Sequence, residues 1–105
     1  MKIPRSFQVM GQTISVVFDD NKCHLNDCVG LAEWHLGLIT LSRTTKEGDK
    51  INHQNIEAIF YHELIHIIHD ACGVMLSSEV TIDERYITQI GALLHQAIST
   101  FNQEQ

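Results

Sequence analysis

The sequence has little positive charge and no long apolar run. Its 7 Lys and Arg are outnumbered by 13 Asp and Glu, which gives a net charge of −6 at pH 7. The basic residues are also scattered, so they form no stripe of the kind that neutralises phosphates, and we expect no nucleic acid partner. No apolar stretch approaches the roughly 20 residues that a membrane span needs, so we expect no membrane partner either.

Cysteine is scarce and odd in number. Three cysteines, in a chain that begins MKIPRSFQVMGQ without a basic segment leading into a long apolar run, are not typical of an exported protein held by disulfides. The sequence therefore predicts a cytoplasmic protein with free thiols. Cys23, His24 and Cys28 form a small cluster, but they do not supply four zinc ligands at accepted spacing. We interpret them as a loop that leads to a strand-bound Cys28.

Length and composition indicate one globular domain over residues 1–105. The chain is 44% apolar and 19% charged, which is typical of a folded protein and of neither a disordered nor a membrane one. Its 105 residues can build a core that stands without staples, but they leave no room for a separate regulatory module. An active site must therefore share the only core.

The first half of the chain alternates short apolar runs with turn residues. The runs predict a small, mostly antiparallel sheet of three or four strands within residues 6–42, at 6–10, 13–18, 28–34 and 38–41. Gly11-Gln12 and Leu36-Gly37 are short enough to be hairpin connections. The charged stretch 44–50 is expected to be a loop.

From Asn52 onward the apolar period becomes helical. It predicts a helix over about 53–71, with Asn52 or Asn55 as its N-cap and Gly73 as its stop, and a second helix over about 82–101. The first helix is apolar on nearly every side, so we expect it to be buried between layers, with its histidines in the interior or lining a cleft. The predicted fold class is α+β, with a sheet, a buried helix and a covering helix.

The motif His62-Glu63-Leu64-Ile65-His66 lies inside the first predicted helix. Two histidines four residues apart lie one above the other on the same helical face, so both imidazoles can reach one zinc ion. Glu63 is displaced from that face, but its carboxylate can reach the water beside the ion and accept a proton. The motif therefore predicts a zinc site with Glu63 as general base.

A catalytic zinc needs a third protein ligand. His69 lies about 10 Å along the helix from His62 at 1.5 Å per residue, too far for one ion to reach both. Cys72, near the helix end, is better explained as a small buried residue. His95 is explained equally well as a solvent-facing polar residue. The remaining candidates are acidic: Glu79, Asp83 and Glu84.

Spacing alone leaves Asp83 and Glu84 nearly even. Glu84 starts the second helix and can reach back across the cleft, but Thr81 to Glu84 also reads as a capping box. Helical periodicity places Asp83 closer to the apolar stripe.

The chain resembles the small phage- and prophage-encoded zincins of the gluzincin type. The resemblance spans nearly the whole chain, through the segments IPRSFQVMGQTISVVFDD, CVGLAEWHLGLITLS, YHELIHIIHDACG and DERYITQIGALLHQAI. It implies a minimal zincin-like fold, one zinc per chain bound by His62, His66 and Glu84, and a cytoplasmic protein of a phage or prophage in a bacterial host. The family's second helix carries Glu-x-x-x-Asp, whose Asp supports a ligand histidine, and here that position is Thr88. The related cytosolic peptidases that cleave repressors usually carry further domains.

The resemblance also implies an activity. A zinc peptidase of this type hydrolyses peptide bonds with Glu63 as general base, and Tyr86 or His95 is a candidate for the oxyanion hydrogen bond. The peptide or protein substrate is expected to lie as an added strand along the sheet edge, at 30–34 or 38–41. The alternative is a zincin-fold binding protein that holds zinc with little or no proteolytic activity.

Overall fold

A computed structural model of the chain describes residues 3–72, 93, 94 and 96–102. These residues form an α+β fold, as the sequence predicts. Residues 93, 94 and 96–99 are helical and belong to the helix predicted over about 82–101, whereas residues 100 and 101 are not helical. The rest of that predicted helix lies outside the described residues. The elements before them are β1 Ser6–Val9, β2 Gln12–Phe18, α1 Asp20–Leu25, β3 Gly30–Glu33, a 3₁₀ turn Trp34–Leu36, β4 Leu38–Leu41 and α2 His53–Cys72.

The four strands form one mixed sheet in the order β1-β2-β4-β3. β1 pairs antiparallel with β2, β2 pairs parallel with β4, and β4 pairs antiparallel with β3. The chain between β2 and β4 holds α1 and β3, so β4 is inserted between two strands that precede it in the sequence. β4 is therefore interior, and β3 lies at an edge of the described sheet.

The hairpin between β1 and β2 turns at Met10 and Gly11, one residue earlier than predicted. Both residues have positive φ, 50° and 77°, which is the geometry of a type I′ turn, and Val9 pairs directly with Gln12. Gln12 is consequently the first residue of β2. The second predicted hairpin connection is confirmed, because Leu36 and Gly37 lie in the loop 34–37 that joins the antiparallel strands β3 and β4; a 3₁₀ turn in this loop ends at Gly37 with φ 62°.

The interpretation of Cys23 and His24 as a loop was wrong. Both lie in α1, which is capped by Asp19, whose carboxylate accepts a hydrogen bond from the Lys22 N–H at 3.1 Å. Cys28 is not strand-bound either, since β3 begins at Gly30. A helix of six residues is too short for an apolar period to show, and its only clear signal is the capping aspartate.

α2 packs across one face of the sheet and builds the core with it. The sheet face alternates as a half-buried sheet should, and its buried side chains are Phe7, Val9, Ile14, Val16, Ile39 and Leu41. α2 contributes Ile56, Phe60, Leu64, Ile67 and Ile68. Its other side carries Ile65, which is 49% exposed, so α2 is buried on one side and not all round. None of the helices that the structure describes is long and apolar enough to cross a membrane.

The C-terminal described residues cover the free edge of β1. Backbone N–H groups of Gln8 and Met10 donate to the Thr100 hydroxyl at 2.7 Å and the Gln96 amide oxygen at 2.8 Å. The ring of Phe101 packs against Phe7, with 5.8 Å between ring centroids. The protein thus closes one edge of its sheet with its own chain.

Candidate active site

α2 is the element that positions the three motif residues. It starts where the sequence predicted, because the Asn52 side chain accepts a hydrogen bond from the Asn55 N–H at 2.8 Å. The motif lies in the middle of its twenty residues, away from both ends, where helices fray. Its backbone is consequently fixed by regular helical hydrogen bonds.

His62 and His66 lie side by side on the exposed side of α2. Their Nε2 atoms are 3.1 Å apart, and their ring centroids are 4.7 Å apart with an angle of 73° between the planes. Two nitrogens bound to one tetrahedral zinc at about 2.05 Å lie ~3.3 Å from each other. The separation of the two Nε2 atoms therefore fits two ligands of a single ion without a change of the helix.

Glu63 lies next to this pair, in the layer between α2 and β3, and it lines the same cleft as His62. It is only 8% exposed, and its carboxylate accepts a hydrogen bond from the Ala32 N–H. Burial raises the pKa of the Glu63 carboxyl above its ordinary value, while His66, His62 and the Ala32 N–H oppose that rise. A carboxylate with a raised pKa accepts a proton more readily, which suits a general base.

A cleft of about 480 Å³ opens between the start of β3 and α2. One wall is Cys28, Val29 and Gly30, and the other includes His62 and Glu63. The two walls lie close together at Gly30, where a Cβ atom would lie 2.6 Å from Ile59 Cγ2 and 3.0 Å from a Glu63 carboxylate oxygen. A larger residue at this position would have to displace the side chain of Ile59 or Glu63. Sequence reasoning missed Gly30, although a glycine within a strand pattern is itself a signal of close backbone approach.

The outward side of β3 faces this cleft. The Val29 carbonyl accepts a hydrogen bond from the Ser42 N–H at 2.9 Å, so odd-numbered residues here pair toward β4. The backbone groups of Gly30 and Ala32 consequently point away from β4, and the Ala32 N–H is the one that reaches Glu63. Of the two predicted substrate edges, 38–41 is excluded, because β4 is hydrogen-bonded on both sides.

The predicted third ligand Glu84 lies outside the described residues, as do its alternatives Asp83 and Glu79. Tyr86, Thr88 and His95 lie outside them too. Within 3–72, 93, 94 and 96–102, no group of three His, Cys, Asp or Glu side chains stands ready to hold a metal ion. His62 and His66 thus form a pair that needs a further ligand.

Two further candidate ligands, His69 and Cys72, do not join His62 and His66 in a group of three ligands. His69 is exposed, with its Nδ1 atom 3.9 Å from the Asp70 carboxylate. Cys72 is buried, as predicted for a small core residue.

No protein-family model, curated protein or solved structure matches this chain.

Proposed function

We propose that the protein is a zinc-dependent peptidase with a minimal zincin-like fold of the gluzincin type. The observation that carries the proposal is that two imidazole Nε2 atoms lie 3.1 Å apart, next to the buried carboxylate of Glu63 on the same helix. Burying a carboxylate lowers the stability of the fold, and a purely structural role of the histidine pair would not explain why Glu63 beside it is buried.

The metal would be held by His62 and His66, with Glu84 as the predicted third ligand. When bound, zinc supplies Lewis-acid activation of a water molecule and of the scissile carbonyl. His62 and His66 would bind the metal through Nε2, and each Nδ1 would then be available to a hydrogen-bond acceptor that fixes the ring.

Glu63 acts as the general base. Its carboxylate accepts the proton of the attacking water and passes it to the leaving amine. The Ala32 N–H holds the carboxylate in place, and burial beside β3 keeps bulk water from competing for it. The same carboxyl group therefore acts first as a base and then as an acid in one turnover.

β3 provides the place for the substrate. Among the described residues no strand pairs with the outer side of β3, so an extended peptide can add there by main-chain hydrogen bonds, and the Gly30 and Ala32 carbonyls point to that side. The floor beside it is apolar, with Val29, Ala58 and Ile59 lining the cleft. A peptide or an exposed segment of a protein would be the substrate.

The decisive comparison is between wild type, Glu63→Gln and Glu57→Gln. The Glu63→Gln variant should retain zinc and lose cleavage of a proteome-derived peptide pool followed by mass spectrometry. Glu57→Gln removes a carboxylate from the same helix outside the cleft, and it should cleave like wild type. Cleavage by Glu63→Gln at the wild-type rate would refute the role of Glu63. No cleavage by wild-type protein that holds zinc would favour a zincin-fold binding protein.

A further inference from the structure

The C-terminal end of α1 brings two cysteines together. The helix ends in a Schellman motif: the Cys28 N–H donates to the Cys23 carbonyl at 3.0 Å, and the Asp27 N–H donates to the His24 carbonyl at 3.2 Å. Asp27 has the left-handed backbone that this motif requires, with φ 54°. Side chains at the first and last positions of a Schellman motif frequently contact each other, and here both are thiols.

The contacts of the two thiols agree with this geometry. The Cys28 thiol donates to the Cys23 carbonyl oxygen at 3.5 Å, and it also interacts electrostatically with the Cys23 thiol. Cys23 is fully buried, with its Sγ 3.8 Å from the Thr40 carbonyl oxygen in the sheet. Cys28 is partly exposed and lines the cleft beside Glu63.

We propose that Cys23 and Cys28 are a redox-active dithiol that hydroperoxides convert to an intramolecular disulfide in the wall of the cleft. The Cys28 sulfur attacks one peroxide oxygen, so that an S–O bond forms and the O–O bond breaks. The Cys28 thiol proton goes to the departing oxygen, which leaves as an alcohol or water, and Cys28 is thereby oxidised by two electrons to a sulfenic acid. The Cys23 sulfur then attacks the Cys28 sulfur, the S–O bond breaks, and the thiol proton of Cys23 leaves with the hydroxyl group as water. Two thiols and one hydroperoxide thus give one disulfide, one alcohol and one water.

The surroundings set the order of the two steps. Burial raises the pKa of Cys23 to about 12, so Cys23 stays a thiol while Cys28 meets the oxidant in the open cleft. Cys72 is buried near the far end of α2 and belongs to neither contact. The reaction is consequently confined to one pair among the three cysteines.

The disulfide would connect α1 to the short segment that leads into β3, the strand beside the candidate active site. Cys28 is followed directly by Val29 and Gly30, and Gly30 abuts Glu63. α1 is already tied to β3 by the ion pair between Lys22 and Glu33, at 2.6 Å. Oxidation would draw the Cys28 sulfur out of the cleft wall toward Cys23. The disulfide would then be a second link to α1, next to the end of β3 that is opposite Glu33.

Tryptic mapping can test the pairing directly. Cleavage after Lys22 and Arg43 puts both cysteines into one peptide, 23–43, while Cys72 falls in the peptide 51–85. The folded protein is treated with hydrogen peroxide, denatured, alkylated and digested. Peptide 23–43 should then be unalkylated and about 2 Da lighter than its dithiol form, because two hydrogens are lost. Peptide 51–85 should remain alkylated, and dithiothreitol should reverse the change.

Two variants identify the cysteines that form the disulfide. Cys72→Ser should form the disulfide as wild type does, and Cys28→Ser should leave Cys23 fully alkylated after peroxide. Cys28→Ala serves in its place if the serine variant is not folded by far-UV circular dichroism. Full alkylation of all three cysteines after peroxide would overturn the proposal. So would disulfides between chains on a non-reducing gel, or a sulfinic acid at Cys28 beside an alkylated Cys23.

Discussion

Replacing Gly30 by alanine tests how closely β3 and α2 must approach. The added Cβ would lie 2.6 Å from Ile59 Cγ2 and 3.0 Å from both Cγ and a carboxylate oxygen of Glu63. Ordinary contacts between such atoms begin near ~3.5 Å, so the methyl group overlaps the Ile59 side chain by ~1 Å. Gly30 does not have positive φ, so the effect is steric and not one of backbone strain.

The overlap sets the size of the effect. Overpacking of this kind typically costs about 1–3 kcal/mol, and for a domain near this size each kcal/mol lowers Tm by about 4–8 °C. We therefore expect Gly30→Ala to lower Tm by about 10 °C. Because the methyl group also presses on the Glu63 carboxylate, we expect at least ~10-fold slower peptide cleavage, while zinc remains bound.

Two further variants distinguish the steric overlap at Gly30 from a general effect of replacing glycine. Gly11→Ala adds a methyl group in open space at φ 77°, so it should cost about 1 kcal/mol through strain alone and leave cleavage unchanged. Ile59→Ala in the Gly30→Ala background removes the nearest obstacle. The double variant should be at least ~1 kcal/mol more stable than the sum of the single effects predicts, by urea denaturation. A Gly30→Ala protein with the stability and cleavage rate of wild type would refute the close approach.

Three other perturbations follow from buried groups. Glu63→Gln should stabilise the chelator-treated protein by about 1 kcal/mol at neutral pH, because it removes a buried charge. The folded-state pKa of Glu63 is raised, so its favourable contribution is complete below the unfolded pKa of about 4.3 and is lost as pH rises through the folded value. The stability advantage of Glu63→Gln over wild type should thus grow with pH in urea titrations, and a constant difference would contradict it. Thr40→Val should raise the unfolding free energy by about 1 kcal/mol, since the buried Thr40 hydroxyl has no partner among the described residues; destabilisation would show a missed partner. Phe60→Ala should cost about 3–5 kcal/mol by the same method, and a loss below ~1 kcal/mol would contradict its place at the centre of the core.

Elements that carry strong local signals could be predicted from the sequence. β4 occupies Leu38–Leu41, as the apolar run indicated, and α2 runs over His53–Cys72 against a predicted 53–71. The capping role of Asn52 follows from one side chain and its nearest neighbours in the sequence. Such features depend on short-range chemistry, which a single sequence contains.

Features that depend on distant contacts could not be predicted. The order of the strands puts β4 between β2 and β3, and no run of residues specifies that insertion. α1 was missed because six residues show no period. Helical spacing placed His62 and His66 on one face, but the buried position of Glu63 depends on β3, and in particular on the missing side chain of Gly30.

The measurement that bears most directly on the proposed function is the metal content of purified protein. We expect about one zinc per chain by elemental analysis, and its loss when His62 and His66 are both changed to alanine. The matched control, His53→Ala with His69→Ala, removes two exposed histidines from the same helix and should keep the metal. Stoichiometric zinc in the protein without His62 and His66 would contradict the proposed site.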